Sequence, residues 1–269
     1  MNDLTRRALL ELNRRFYSRF AAGFSASRER PWAGWDRLVE LLSGAAGGAL
    51  RVLDAGCGNG RFGAYLAARV GEIDYLGIDG CGELLRLARR RLAAGRVAAR
   101  WAELELAEEA LGRRLGEERF DLVALFGVLH HVPGRRHRAR LMARLAAHVD
   151  AGGLLAASVW RFDREARLAS KVLPWDDYNR GAELPVDVRE LEPGDHLLTW
   201  AGDRATPRYC HLVGEDEVAE LAAVTGLACR ARFAADGPGG ERNLYLVFAH
   251  PASPRATFPP RPSAPLRRP

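Results

Sequence analysis

Hydrophobic positions along the chain follow two periods in turn. From Leu4 to Phe20 apolar residues recur at helical spacing, and Gly23 with a Ser/Arg-rich turn closes that segment. A second amphipathic helix is predicted from about Trp35 to Leu42, ending at Ser43-Gly44. Short apolar runs then alternate with helical stretches. Strands are predicted at Arg51–Ala55, Asp74–Asp79, Ala98–Ala102, Phe120–Phe126 and Leu154–Trp160, with a turn at Ala151-Gly152-Gly153 before the last. Helices are predicted near Arg61–Arg69, Glu83–Ala94, Leu106–Leu115 and Arg136–His148. Strands that are apolar throughout need cover on both faces, so the alternation predicts a doubly wound α/β domain with residues 1–45 as an N-terminal helical cap.

The rhythm breaks from Arg161 to Pro207, where Pro174, Pro185, Pro193 and Pro207 accompany Trp175, Trp200 and mixed charge. That stretch reads as an insertion after the fifth strand. A helix at Glu215–Thr225 and strands at Ala228–Phe233 and Asn243–Phe248 complete a domain of residues 1–250. Residues 251–269 are rich in proline and arginine without periodicity and are expected to form a disordered tail.

Composition narrows the picture only slightly. Hydrophobic residues at 48% permit a sizeable core, no apolar run reaches the roughly 18 residues of a membrane span, and the N-terminus lacks a signal-peptide core. A cytoplasmic protein away from membranes is therefore expected. Cys57, Cys81, Cys210 and Cys229 include no CxxC pair, which argues against a zinc site or a disulfide framework, so no metal is expected. The net charge of +6 fits a polyanionic partner such as RNA. It equally fits an Arg-rich composition, since Lys171 is the only lysine and part of the excess lies in the tail.

The chemistry concentrates at strand ends. Val52-Leu53-Asp54-Ala55-Gly56-Cys57-Gly58-Asn59-Gly60 places glycines at every second position after the first strand, where a tight turn lets a ligand approach the backbone. That spacing suits a bulky nucleoside better than a pyrophosphate seated on a helix N-terminus. Asp79 closes the second strand, where a carboxylate can accept both ribose hydroxyls. Glu103 and the Leu104 backbone, after the third strand, could read an adenine, and Phe126 would floor the crevice at the topological switch point. A dehydrogenase is the competing reading of such glycines.

Val52–Gly60, the acid of Gly77-Ile78-Asp79 and Val128-Leu129-His130-His131 together resemble the class I S-adenosylmethionine-dependent methyltransferases. The resemblance implies S-adenosyl-L-methionine as cofactor, held by Asp54, Gly56, Gly58, Gly60, Asp79, Glu103, Leu104 and Phe126. It also implies a Rossmann-like, mostly parallel seven-stranded sheet whose last strand runs antiparallel. The stretches Phe24–Trp32, Ser158-Val159-Trp160, Arg208–Leu212 and Glu241–Tyr245 further resemble the wobble-uridine tRNA methyltransferases that esterify 5-carboxymethyluridine. That narrower resemblance implies tRNA as substrate and a small zinc-binding activator protein as partner. Cys210, Leu244 and Thr199 depart from it, standing where the subfamily has two aromatics and a proline.

A carboxylate acceptor is ionised at pH 7 and needs no general base, only cations and donors to hold it. Arg28 and Arg208 are the candidate bidentate partners, with Tyr209 and His211 as donors. Arg28 could also pair with a nearby acid or clamp the cofactor's own carboxylate. His130 is a candidate for orienting the acceptor and His131 for fastening its loop. Arg135, Arg136, Arg138, Arg140 and Arg144 would present either a phosphate track or a solvated helix face, and Trp175 and Trp200 either a base-stacking surface or core. Two other functions fit the same residues: a small-molecule O- or N-methyltransferase, and a non-catalytic cofactor-binding protein.

Overall fold

A computed structural model of the chain describes residues 1–42, 49–93, 97–106 and 110–251. Helices α1 (Asp3–Ala26) and α2 (Gly34–Leu41) precede β1 (Leu50–Ala55), α3 (Arg61–Val70), β2 (Ile73–Asp79), α4 (Gly82–Leu92) and β3 (Val97–Glu103). Next come α5 (Ala110–Leu115), β4 (Phe120–Leu125), α6 (Arg135–Ala146) and β5 (Val149–Trp160). Then follow α7 (Ala166–Ala169), β6 (Val172–Leu173), α8 (Trp175–Asn179), β7 (Asp195–Trp200) and β8 (Asp203–His211). Helix α9 (Glu215–Ala223), β9 (Ala228–Ala235) and β10 (Asn243–Ala249) complete the domain. The expected tail from residue 252 onward, the expected helix stop at Ser43-Gly44 and the expected helical residues 94 and 107–109 lie outside the described residues.

The main sheet has seven strands in the order β3-β2-β1-β4-β5-β10-β9. Its pairings are parallel except where β10 runs antiparallel between β5 and β9. Both faces are covered. Trp35, Leu38, Phe62, Leu66 and Leu85 from α2, α3 and α4 pack on one, and Leu111, Leu141, Met142, Leu145 and Leu221 from α5, α6 and α9 on the other. The continuous apolar runs of β1 and β4 follow from this double cover. No helix among the described residues is long and apolar enough to cross a membrane.

The structure departs from the sequence pattern in two ways that matter for the site. Helix α1 continues through Gly23 to Ala26, because Phe16 and Phe24 pack edge-on to each other and both contact Trp200. The stretch read as an irregular insertion contains a three-stranded antiparallel sheet, β6-β7-β8, and β8 runs past Pro207 to His211. Leu9 and Leu12 of α1 bury against Leu173, Leu197 and Tyr209 of this small sheet. Cap and insertion therefore form one unit. A smaller difference is that Ala151-Gly152-Gly153 belongs to β5 itself, where the register against β4 shifts and a Cβ on Gly153 would meet the Phe120 carbonyl oxygen at 2.8 Å.

A buried polar network fixes the small sheet to the main domain. Arg138 of α6, with no exposed surface, donates from Nε to Glu217 (2.5 Å), from Nη1 to the Val132 carbonyl (3.0 Å) and from Nη2 to Glu192 (2.7 Å). His211 lies between Asp195 (2.7 Å) and Glu217 (3.0 Å), and the Tyr209 hydroxyl donates to Asp195 (2.7 Å). Burial pushes the Glu217 carboxyl up, but His211 and Arg138 outweigh it and hold it at about 2. Arg138→Ala strands the buried Glu217 and the half-buried Glu192 carboxylates and should lower the unfolding free energy by about 3–5 kcal/mol. Urea unfolding followed by circular dichroism measures this, and a loss below about 1 kcal/mol would show that the network is dispensable.

Candidate active site

The C-terminal ends of β1, β2 and β4 open into one cavity of about 1270 Å³, roofed by α1, the segment before α2 and the small sheet. A pocket for one small ligand occupies about 300–1,000 Å³. This one has room for a cofactor and an acceptor side by side.

Its first half is the glycine turn. Gly56 and Cys57 both donate backbone N–H to the Ile78 carbonyl, at 2.7 and 3.0 Å, which folds the turn against β2. Gly56 has φ +80°, and a Cβ there would meet Val128 Cγ2 at 2.2 Å, so the close packing of the two loops requires glycine. Gly60, at φ +71°, packs directly on Ala88 and Leu92 of α4. Gly58 differs: at φ +54° its Cβ position faces open space.

Asp79 accepts the N–H of Gly58 (2.8 Å) on one oxygen and that of Cys81 (2.9 Å) on the other. Burial raises its pKa while these two amides pull it down. Each oxygen keeps a lone pair for a hydroxyl donor. Asp54 is 2% exposed, accepts the Tyr75 hydroxyl at 2.5 Å and is pushed by burial to about 7. Phe126 packs edge-on to Phe62 at 4.9 Å, and the Gly127 N–H donates to Ser158 Oγ. The open space over Gly58, the acceptor at Asp79 and the aromatic floor fit a nucleoside cofactor. Glu103 and Leu104 lie outside the cavity lining. The Glu103 carboxylate lies within 2.7–3.0 Å of the Cβ position of Gly82 at the start of α4, and Glu105 and Leu106 form the wall instead. β3 ends at Glu103, one residue beyond the expected strand, and the loop that follows supplies the wall.

The other half is aromatic and cationic. Arg208 is 4% exposed, and its Nε has no hydrogen-bond partner. Its guanidinium carbon lies 4.9 Å from the Trp160 ring centroid, 5.3 Å from Phe16 and 6.0 Å from Trp200. Arg28 lies 3.4 Å over Phe24 and 5.3 Å from Trp200, and burial beside Arg208 pushes it down to about 9. Among the described residues no carboxylate is within ion-pair distance of either arginine, so an Arg28 ion pair on a solvated turn is not what the chain forms. His130 is buried against Trp160 with Nδ1 unpartnered, and burial together with His131 and Arg208 drives its pKa far down.

His131 fastens the loop. Its Nε2 meets the Tyr17 hydroxyl at 2.7 Å and its Nδ1 the Tyr209 carbonyl at 2.9 Å, an arrangement in which Nδ1–H donates and Nε2 accepts. Burial and Arg208 lower it to about 3, so the ring is neutral. Asn13, which carried no motif in the sequence, accepts the Tyr209 N–H (2.8 Å) and donates to the His131 carbonyl (3.2 Å). His130, His131 and Cys210 bring donor atoms within 4.8 Å of one another, but His131 Nδ1 is committed to Tyr209 and Arg208 stands beside the group.

Tyr209 and His211, expected as donors beside Arg208, point the other way. Side chains alternate along β8, so Arg208 and Cys210 face the cavity side while Tyr209 and His211 enter the Arg138 network. The two tryptophans also divide: Trp200 lines the cavity, and Trp175 is packed against the small sheet, donating Nε1–H to the Asp195 carbonyl. The basic start of α6, left open between a phosphate track and a solvated helix face, is broken up as well. Arg138 is buried and Arg135 pairs with Glu220 of α9, which leaves Arg136 and Arg140 exposed. Asp236, another residue without a sequence signal beyond its turn, accepts from Gly34 N–H, Asn243 and the Tyr245 hydroxyl and ties the cap to the β9–β10 hairpin.

A family model described as a methyltransferase domain matches residues 53–155, the span from β1 into β5. A protein of Encephalitozoon cuniculi named a methyltransferase is 29% identical over 79% of this chain and 85% of its own length. The tRNA (carboxymethyluridine(34)-5-O)-methyltransferase of Arabidopsis thaliana is 26% identical over 56% of this chain, and the match spans only a third of that protein (33%). The crystal structure of an S-adenosylmethionine-dependent methyltransferase from Clostridium acetobutylicum superposes with a TM-score of 0.60 over 88% of this chain and 99% of that one, at 12% identity, a likeness of fold. The chain is a class I S-adenosylmethionine-dependent methyltransferase, with S-adenosyl-L-methionine as its cofactor.

Cofactor affinity should rest on Asp79 and Gly58. Removing the carboxylate in Asp79→Ala should cost about 1.5–3 kcal/mol of binding, and Gly58→Val should cost more because its side chain would fill the open space at a left-handed backbone. Titration calorimetry with S-adenosylmethionine checks both; unchanged affinity in Asp79→Ala would remove Asp79 from the cofactor site.

Proposed function

We propose that this methyltransferase esterifies a carboxylate on a modified tRNA wobble uridine. One observation carries the chemistry: Arg208 is buried without an anionic partner in the half of the cavity that adjoins the glycine turn. Burying an unpaired guanidinium costs several kcal/mol, and aromatic faces offset part of that, about 0.5–2 kcal/mol each, without accepting its N–H donors. A ligand carboxylate removes the imbalance. The plant relative's name supplies the tRNA part of the reading, and the subfamily resemblance adds a small zinc-binding activator as partner.

Bound S-adenosylmethionine supplies a methyl group on a sulfonium, open to in-line attack by a carboxylate oxygen. The chain's own task is positioning. Arg28 and Arg208 grip the acid and aim it, and the unpartnered Nδ1 of His130 offers a further contact to the acceptor. Phe16, Phe24, Trp160 and Trp200 keep water from the acid and leave the cations at full strength. No residue has to move a proton, because the nucleophile is already ionised and both histidines are neutral.

A small-molecule carboxylic acid is the second reading, favoured by the depth at which Arg208 lies. Mass spectrometry of tRNA nucleosides from cells with and without the gene separates the two; an unchanged nucleoside profile would remove tRNA. In vitro, Arg208→Ala should slow turnover on the order of 10²-fold while cofactor affinity holds. With cofactor saturating, the rate should stay flat between about pH 6 and 8: a free carboxylate titrates near 4, His130 and His131 carry no charge to lose there, Arg28 at about 9 keeps its charge, and the Asp54 carboxyl at about 7 belongs to the cofactor half. A rate that climbs through pH 6–7 would assign the nucleophile to an amine or hydroxyl with a histidine base instead.

A further inference from the structure

The cations of the acceptor half do not end at Arg208 and Arg28. Lys171, partly exposed, and Arg167, exposed, also line the cavity. Together with the deep Arg208 and the half-buried Arg28 they extend positive charge from the floor to the mouth. The Lys171 ammonium lies 5.7 Å from the centroid of Trp200, the same indole that Arg28 and Arg208 face.

Nearby acids do not neutralise this end. Asp177 pairs with Arg180 and Arg204, Asp203 with Arg19, Glu165 with Arg242, and Asp163 with Arg164. Among the described residues, neither Lys171 nor Arg167 has a carboxylate within ion-pair distance, although most arginines around them do. Burial, then Arg167, Arg208 and Arg28, lower the Lys171 ammonium, the direction expected of a cation set among cations. Its backbone is held: the Lys171 carbonyl accepts the Thr199 N–H at 3.0 Å and the Thr199 hydroxyl at 3.3 Å, one residue before Trp200. The side chain therefore extends from a fixed point on the rim.

We propose that Lys171, with Arg167 four residues before it, forms a second anion subsite at the mouth of the acceptor cavity, which takes a phosphate of the nucleotide bearing the methyl-accepting acid. The inference rests on the carboxylate reading above and adds the group that the carboxylate is attached to. The cations suit the anions. The planar forks of Arg28 and Arg208 match a carboxylate in one orientation, whereas at the rim the Lys171 ammonium is a point charge that holds a phosphate through several, and the Arg167 guanidinium can add a second contact to it. Depth agrees with this division. The small acid reaches the buried arginines, and the bulkier, more hydrated phosphate stays at the rim, where its remaining oxygens keep water.

Calorimetry on the full chain loaded with S-adenosylhomocysteine tests this with uridine, 5-carboxymethyluridine and the 5′- and 3′-monophosphates of the latter. One monophosphate should bind about tenfold tighter than the nucleoside, the size of one charge-assisted contact. That ratio should fall to within about twofold in Lys171→Ala and invert in Lys171→Glu, with Arg167→Ala between them. The 5′ and 3′ arms identify which phosphate is held. Equal binding of nucleoside and both monophosphates by the unsubstituted protein overturns the subsite while leaving the carboxylate reading in place, as does a ratio that survives in both Lys171 variants. Equal binding of uridine and 5-carboxymethyluridine overturns the carboxylate reading, and the subsite with it.

Discussion

The acceptor site depends on how one strand edge is closed. In the small sheet, β8 pairs with β7 on one side only, so the backbone N–H and carbonyl of Tyr209 point away from the ladder. Left bare in a buried position, each would cost roughly 1–3 kcal/mol. Asn13 of α1 takes the N–H and His131 takes the carbonyl, and Asn13 also holds the His131 carbonyl. These bonds join the cap, the insertion and the loop after β4 at a single residue. The neighbours of that residue in sequence are Arg208 and Cys210, and the neighbour of His131 is His130. Closing the edge thus sets the distance between the acceptor cations and the rim of the main sheet.

Charge divides the cavity in a way that matches two ligands of opposite need. The carboxyl groups of Asp54 and Asp79 lie at the glycine turn, the half of the cavity whose shape fits a nucleoside cofactor. Arg28 and Arg208 lie in the other half without acids of their own. The two histidines between them are kept neutral by burial and by Arg208, so they add polarity without adding charge. On the carboxylate reading proposed above, such a site would act by placing two groups in line and excluding water, the larger part of what a displacement between a sulfonium and a carboxylate requires.

Much of this was legible in the chain. Parallel strands buried on both faces leave a continuous apolar signature, and Gly56, Gly58 and Gly60 all take a left-handed backbone that favours glycine, with close packing added at Gly56 and Gly60. The positions of Asp79 and Phe126 follow from strand ends, which periodicity locates well. Arg28 and Arg208 were legible only through resemblance, since an isolated arginine has no period. Glu103 ends β3 as expected, but the loop residues Glu105 and Leu106 rather than Glu103 and Leu104 form the cavity wall, and loops carry no such period.

What the sequence by itself determined is therefore the doubly wound sheet, the nucleoside turn and the order of the strand-end acids, because local periodicity and glycine geometry encode them. The tertiary structure decided which polar residues share the acceptor cavity. Alternation along β8 sent Arg208 inward and Tyr209 and His211 to the Arg138 network, and that parity could be assigned only once a strand was known to pass through Pro207. The same holds for Asn13, 196 residues from the backbone group it satisfies. A hydrogen bond between distant segments leaves no pattern in either one, and only the packing of α1 on the small sheet brings the two together.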